Sequence, residues 1–140
     1  MLFLSGDDIS ENIFSGGDVF FMYKGDSVVY KKAFKFSIRI VKLYKYLCNE
    51  KKEYLIAKQL LRSGTSIAAN IREGLEGQSK RDFISKLSIS LKEAAETEYW
   101  LDLLLATEIL NDKQLNSIAK DIEELIKMLT SIINTTKKSL

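Results

Sequence analysis

The 140-residue sequence contains no proline, and this absence constrains the fold more than any other single feature. Proline breaks helices because it lacks a backbone N–H and clashes with the preceding turn. After residue 26, only Gly64 interrupts a segment of helical period, while Gly74 and Gly77 mark a turn. The remainder of the chain has few interruptions, which favours long helices over a sheet.

Apolar residues recur at steps of three and four residues, the spacing of one helical face, in four successive segments. We predict a first helix over residues 28–49 and a second over residues 52–73, with Gly74 as its C-terminal stop. The middle of the second segment consists of small residues, which indicates a close helix crossing.

Capping signals mark the two remaining helices. Ser79 and Asp82 have the spacing of a capping box, so we predict that a third helix begins there and extends to about residue 108. Asn111 or Asp112 is predicted to cap the fourth helix, which has the most regular apolar repeat. Connections this short force consecutive helices to lie antiparallel.

These elements predict an all-α protein, an antiparallel up-down-up-down four-helix bundle over residues 27–135. Residues 1–26 have glycines, acidic residues and no helical period, and are predicted to form a flexible N-terminal arm or a start-site extension. Residues 136–140 are predicted to be a C-terminal tail.

Positive charge is concentrated in the front half of the chain, although the net charge is only +2. Residues 24–62 hold eleven basic and three acidic side chains. On a helical wheel, five of them gather opposite the apolar face of the first helix: Lys31, Lys35, Arg39, Lys42 and Lys45. Such a stripe is either a solvated surface or a binding site for the phosphates of RNA or DNA.

Composition excludes the commonest catalytic chemistries. The chain has no histidine, so it lacks the usual general base and the ligands of a ferritin-like di-metal site. Cys48 is the sole cysteine, which rules out an intramolecular disulfide and favours the cytoplasm. We therefore predict no catalytic residue, no metal, no cofactor and, because no apolar run reaches about 18 residues, no membrane partner.

Glu98 falls on the predicted apolar arc of the third helix. A buried carboxylate is costly unless it is paired or hydrogen-bonded. Ser63 and Asn70 lie at the edge of the apolar face of the second helix, so we predict a buried polar network between these two helices. A polar ligand pocket is the alternative.

A second apolar arc on the third helix exceeds what one groove of a small bundle can cover. It consists of Ile89, Trp100, Leu103 and Leu104. We predict that these residues form an interface between copies of the chain.

Three runs of sequence resemble the four-helix bundle proteins encoded in 23S rRNA intervening sequences. VVYKKAFKFSIRIVKLYKYL resembles the first helix of that family, SGTSIAANIREG the second and SKLSISLKEAAETEYWL the third. The resemblance covers residues 28–133.

The resemblance implies a small helical protomer that assembles into a ring, commonly a homopentamer, with no established enzyme activity. It also implies a distant relation to accessory proteins of diversity-generating retroelements, whose basic rings engage nucleic acid and a reverse transcriptase. The positions that match the polar motif of the family are Ser66, Asn70, Glu73, Glu93 and Glu98. The resemblance assigns them structural hydrogen bonding.

Together these observations predict a non-enzymatic homo-oligomer that binds RNA or DNA through its basic face. The alternative is a structural scaffold that docks a partner protein and binds no nucleic acid.

Overall fold

A computed structural model describes residues 27–140, which form four α-helices and contain no β-strand. The helices are α1 (Val28–Asn49), α2 (Leu55–Leu75), α3 (Lys80–Ala106) and α4 (Asp112–Lys138). The predicted all-α class is confirmed. The predicted arm, residues 1–26, lies outside the described residues.

The helices pack in a closed ring, α1 on α2, α2 on α3, α3 on α4 and α4 on α1. Across the α2–α3 seam, Thr97 bonds to Ser63 and Ser90 bonds to Ile67. Residue numbers therefore fall along α3 as they rise along α2, as the antiparallel prediction requires. The ion pairs between α1 and α4, described below, follow the same rule.

One apolar stripe from each helix forms the core. Each fully buried Leu or Ile side chain contributes about 1.5–3 kcal/mol relative to exposure. The largest fully buried side chains are Tyr30, Phe36, Ile40, Leu43, Leu47, Leu60, Ile67, Ile71, Leu87, Leu104, Leu110 and Ile118.

Three of the helices have a side-chain cap at their N-terminus. The hydroxyl of Ser27 accepts from the Tyr30 amide, and that of Ser79 accepts from the Asp82 amide. Asn111 forms a capping box with Gln114, so the caps predicted at Ser79 and Asn111 are confirmed. The fourth helix extends to Lys138, and residues 136–138, predicted as tail, are helical.

The predicted bounds of the second helix are wrong at both ends. Lys52 has φ 55°, a left-handed conformation incompatible with an α-helix, so α2 begins at Leu55. Gly74 lies inside the helix, where an added Cβ would be 3.0 Å from Leu87 Cδ1. Gly74 therefore lies in close contact with α3 and does not terminate α2.

Gly64 brings α1 and α2 together, as the run of small residues predicts. An added Cβ at Gly64 would lie 2.8 Å from Cγ1 and 2.9 Å from Cγ2 of Ile40, whose side chain is fully buried. These atoms are close to the α1 backbone and have little freedom to move away.

We expect Gly64→Ala to lower the free energy of unfolding by about 1 kcal/mol. Overpacking costs about 1–3 kcal/mol, which exceeds the gain of about 1 kcal/mol in helix propensity. In an Ile40→Ala background the same change should stabilise the protein, because the clash is gone. Urea unfolding, monitored by circular dichroism, measures the change in the free energy of unfolding in each background. Equal changes in the two backgrounds would contradict the close contact between Gly64 and Ile40.

Candidate nucleic-acid interface

Four lysines lie along the outer side of α1. Lys35, Lys42 and Lys45 are exposed, and Lys31 is half-buried. Their spacing of four, seven and three residues puts all four on the side opposite the buried residues. At 1.5 Å per residue the row is about 21 Å long. We call these four residues the lysine stripe.

The lysine stripe has no acidic neighbour on its own helix, because α1 contains no Asp or Glu. Within residues 27–140, none of its four side chains has an ion pair or a hydrogen bond. By contrast, Lys32, Lys86 and Lys127 each pair with a glutamate. No carboxylate within residues 27–140 is therefore paired with the stripe.

Arg39, the fifth residue predicted for this surface, is buried, and its assignment to the basic face is wrong. Its side chain is 4% exposed. One guanidinium nitrogen pairs with Asp121 of α4, and the other donates to the Ser117 hydroxyl at 3.0 Å. Position 39 is rotated from the stripe towards α4, so its long side chain enters the α1–α4 seam.

A second ion pair extends this seam towards the start of α1. Lys32 Nζ lies 2.6 Å from Glu124 Oε1, and both side chains are about half exposed. A groove of about 360 Å³ lies between the two helices here. It is lined by four basic residues of α1 and by two acids of α4: Lys31, Lys32, Lys35, Arg39, Asp121 and Glu124. Asp121 and Glu124 therefore lie beside Lys31 and Lys35, on the α4 side of the lysine stripe.

We expect Asp121→Asn to lower the free energy of unfolding by about 2 kcal/mol, since it weakens a charged hydrogen bond to a buried group. Glu124→Gln is the matched control, because it removes an exposed ion pair worth at most about 1 kcal/mol. Urea unfolding of both variants measures the difference. If the two substitutions cost the same, the Arg39 pair is no stronger than a surface contact.

The α2–α3 seam contains a buried polar network, but its members differ from the predicted set. Ser63, which was predicted, is fully buried, and its hydroxyl is hydrogen-bonded to that of Thr97, with the two oxygens 2.9 Å apart. Ser90 Oγ donates to the Ile67 carbonyl at 2.9 Å. The sequence reasoning missed Thr97 and Ser90, whose positions beside Ala94 on the α3 wheel were the available signal.

Two other predicted network residues, Ser66 and Asn70, are hydrogen-bonded to each other along α2. Asn70 Nδ2 donates to the Ser66 carbonyl at 2.8 Å and to its hydroxyl at 3.1 Å. Both residues are half-buried on the outer part of the helix. They do not join the buried α2–α3 contact.

The three predicted glutamates also lie outside the buried network. Glu73 is exposed and lies 3.6 Å from Lys86, and Glu93 lies 3.3 Å from Arg62. Glu98 is half-buried and has no hydrogen bond or ion pair within residues 27–140. Its carboxylate keeps contact with water, so the partner expected for a buried charge is not needed.

The predicted interface residues of α3 divide into three environments. Leu104 is fully buried in the core, and its assignment to an outer surface is wrong. Trp100 packs against the core and meets the Tyr99 ring edge-on, with centroids 4.9 Å apart. Leu103 is half-buried, and Ile89 is 41% exposed. Tyr99, 55% exposed, is an outer aromatic residue that the sequence reasoning missed.

Two tyrosines of α1 have raised pKa values. Burial raises the pKa of the Tyr30 phenol, and the charge of Arg72 opposes this shift. A hydrogen bond with Cys48 raises the pKa of Tyr44. Because both phenols are neutral at physiological pH, the charge on the outer side of α1 comes from its lysines.

Within the described part of the chain, no three His, Cys, Asp or Glu side chains are grouped closely enough to hold a metal ion. None of the four described helices combines the length and apolar character needed to cross a membrane.

The fold and this surface define a small all-α bundle protein with a basic outer helix. Residues 25–131 match the family described as 23S rRNA-intervening sequence protein. Because this match covers more than half of the chain, the protein belongs to that family.

A solved relative has the same fold. It is a protein with unknown function from the S23 ribosomal protein family of Bacteroides thetaiotaomicron VPI-5482, whose crystal structure was determined at 1.70 Å resolution. The two chains are 57% identical, with a TM-score of 0.75, and the match covers 76% of this chain and 96% of the relative. No curated protein matches the chain significantly.

Proposed function

We propose that the protein is a non-enzymatic homo-oligomer that binds the phosphates of RNA or DNA through the lysine stripe. The observation that carries this proposal is the row of four lysines, about 21 Å long, on a helix without a single acid. Charges already paired with carboxylates contribute little to polyanion binding, whereas these lysines lack such partners within residues 27–140.

Binding of this kind recognises the phosphate backbone and does not distinguish between bases. Base recognition requires side chains that reach base edges with a fixed donor and acceptor pattern. The stripe offers ammonium groups, which attract any phosphate backbone. An oligomer would present several stripes at once, and a pentamer, the assembly that the family resemblance implies, would multiply a weak attraction through avidity.

Neutralising two stripe lysines should weaken binding and reduce its dependence on salt. Four phosphate contacts to a single strand give a slope of log K against log[salt] of about −2.8. We expect Lys35→Gln with Lys42→Gln to reduce the magnitude of this slope by about 1.4 units. Fluorescence anisotropy with an unstructured RNA at several salt concentrations measures both quantities.

Lys92→Gln with Lys120→Gln is the matched control. Both residues are exposed and unpaired within the described chain. Their substitution removes two positive charges, as in the stripe variant, but from α3 and α4. This variant should bind almost as well as the unmodified protein. An equal loss in the two variants would mean that net charge alone attracts RNA, and an affinity indifferent to salt would remove phosphate binding altogether.

The proposed self-association is supported by exposed apolar side chains on the outer face of α3. Ile89 is 41% and Tyr99 55% exposed, and Leu103 is half-buried. These residues define the outer face of α3 and replace the predicted set, which included the buried Leu104.

We expect Ile89→Asp to reduce the mass measured by light scattering towards that of the 16.0 kDa protomer, because it places a charge in an apolar interface. Ser131→Asp, at an exposed position of α4, should leave the mass unchanged. A mass of 16.0 kDa for the unmodified chain would contradict self-association itself.

The alternative, a scaffold for another protein, is favoured by the same exposed Ile89 and Tyr99. It predicts no RNA binding at low salt and undiminished binding of the partner protein by the Lys35→Gln, Lys42→Gln variant. For either role we propose a cytoplasmic location, which suits the unpaired thiol of Cys48. Neither role requires a cofactor.

A further inference from the structure

Tyr54 is an exposed aromatic residue at the end of the bundle where the lysine stripe stops. It directly precedes α2 and is 53% exposed. Within residues 27–140 its ring meets no other aromatic ring, and its hydroxyl has no hydrogen bond. The side chain neither packs against the core nor caps α2. The ring is therefore available to a ligand, and the bundle does not depend on it.

The connection between α1 and α2 holds Tyr54 close to the last turn of α1. The Glu53 amide donates a hydrogen bond to the Leu47 carbonyl at 3.0 Å, which folds the connection back against α1. Tyr54 follows Glu53, and Lys45, the last residue of the lysine stripe, lies two residues before Leu47. Along this path the Cα atoms of Lys45 and Tyr54 are at most about 16 Å apart. A chain-like ligand that runs along the stripe past Lys45 thus has a short distance to cover before it meets Tyr54.

Positive charge continues beyond the stripe on both sides of Tyr54. The nearby basic residues are Lys51, Lys52 and Lys58. All three are exposed, and none of their side chains has an ion pair or a hydrogen bond within the described chain. Lys51 and Lys52 lie within three residues of Tyr54, so their Cα atoms are at most about 11 Å from its own. Lys58 lies one helical turn after Tyr54, on the same side of α2.

Two glutamates of the same connection oppose this charge only in part. Glu53 is half-buried, and its Oε1 accepts a hydrogen bond from the Ile56 amide at 2.9 Å. Glu50 is exposed. Three lysines therefore face one fully exposed carboxylate, which leaves the surroundings of Tyr54 attractive to phosphate.

The other comparably exposed aromatic residue of the described chain has the opposite surroundings. Tyr99 is 55% exposed. Its neighbours three residues away on α3 are two acids, Glu96 and Asp102. Carboxylates disfavour the approach of a phosphate backbone, so Tyr54 is the better placed of the two rings to meet a nucleic acid.

We propose that the ligand of the lysine stripe is a single-stranded nucleic acid and that Tyr54 stacks on one of its bases. This inference rests on the proposed function, because the stripe must bind phosphates for a strand to reach Tyr54. Proteins that bind single strands combine positive charges along the backbone with aromatic rings on which bases stack. Within a duplex the base faces are covered by neighbouring base pairs, whereas the bases of a single strand are free to stack on a side chain. Every base has a π-face, so this contact adds affinity without a sequence preference.

Replacing Tyr54 separates stacking from phosphate binding. Tyr54→Ala should weaken the binding of an unstructured single-stranded RNA by at least about fivefold, because one stacked base is lost. The slope of log K against log[salt] should stay the same, since no charge is removed. The affinity for the duplex of that RNA with its complement should change by less than about twofold. Fluorescence anisotropy of the full chain with both RNAs measures these quantities.

Two further variants control this experiment. Tyr54→Phe keeps the ring and should bind single-stranded RNA as the unmodified protein does. Leu55→Ala is the matched control, because Leu55 is the next residue and is 81% exposed but has no π-face, so its loss should leave the affinity unchanged. An unchanged affinity of Tyr54→Ala, or equal losses for Tyr54→Ala and Leu55→Ala, would overturn stacking while phosphate binding by the stripe stands. If the unmodified protein binds neither RNA, the proposed function fails and stacking fails with it.

A strand without bases tests the same contact from the side of the ligand. Oligothymidylate and an abasic strand of the same length carry the same phosphates, so the lysine stripe attracts both. Tyr54→Ala should reduce the affinity for oligothymidylate by about fivefold or more and leave that for the abasic strand unchanged. A loss of the same size with both strands would overturn the proposal, because Tyr54 would then act without a base.

Discussion

The bundle closes through the contact between α1 and α4, which among the four described helices are the one neighbouring pair without a short connection between them. Its apolar part is the core, and its polar part is the buried Arg39 with Asp121 and Ser117. A guanidinium buried to this extent needs its charged partner, because an uncompensated charge in the interior is very costly. The pair therefore restricts how α1 can rotate against α4.

This rotation also determines which side chains of α1 face outward. With Arg39 turned towards α4, Lys35 and Lys42 point away from the core on the side opposite Ile40. The candidate binding surface is thus a consequence of the seam and not an independent feature. The opposite seam, between α1 and α2, acts in the same way, because Gly64 allows Ile40 to pack directly on the α2 backbone.

Periodicity predicted the helices and the class of fold because both depend on local spacing. It failed where a side chain's environment depends on a distant partner. Arg39 shares the charge of the nearby lysines, and only Asp121, 82 residues later, accounts for its burial. Similarly, an apolar arc does not say which neighbour covers it, so Leu104 and Ile89 looked equivalent although one is buried and the other exposed.

The burial of short hydroxyl side chains was even harder to predict from the sequence. Thr97 and Glu98 are adjacent in sequence, and the charge made Glu98 the more conspicuous residue. Yet Thr97 is fully buried, because its hydroxyl bonds both to the Glu93 carbonyl of its own helix and to Ser63. A hydroxyl can be satisfied partly by its own backbone and so enters a core at small cost, whereas a carboxylate cannot.

The separation of core and lysine stripe on opposite sides of α1 has a functional consequence. The stripe lysines make no ion pair within the described chain, so their charges can meet a ligand without breaking a contact that holds the bundle together. Arg39 differs, because its charge is engaged in closing the bundle. The proposed polyanion binding and the stability of the bundle thus involve different cations of one helix, and the proposed binding requires no rearrangement of the four helices.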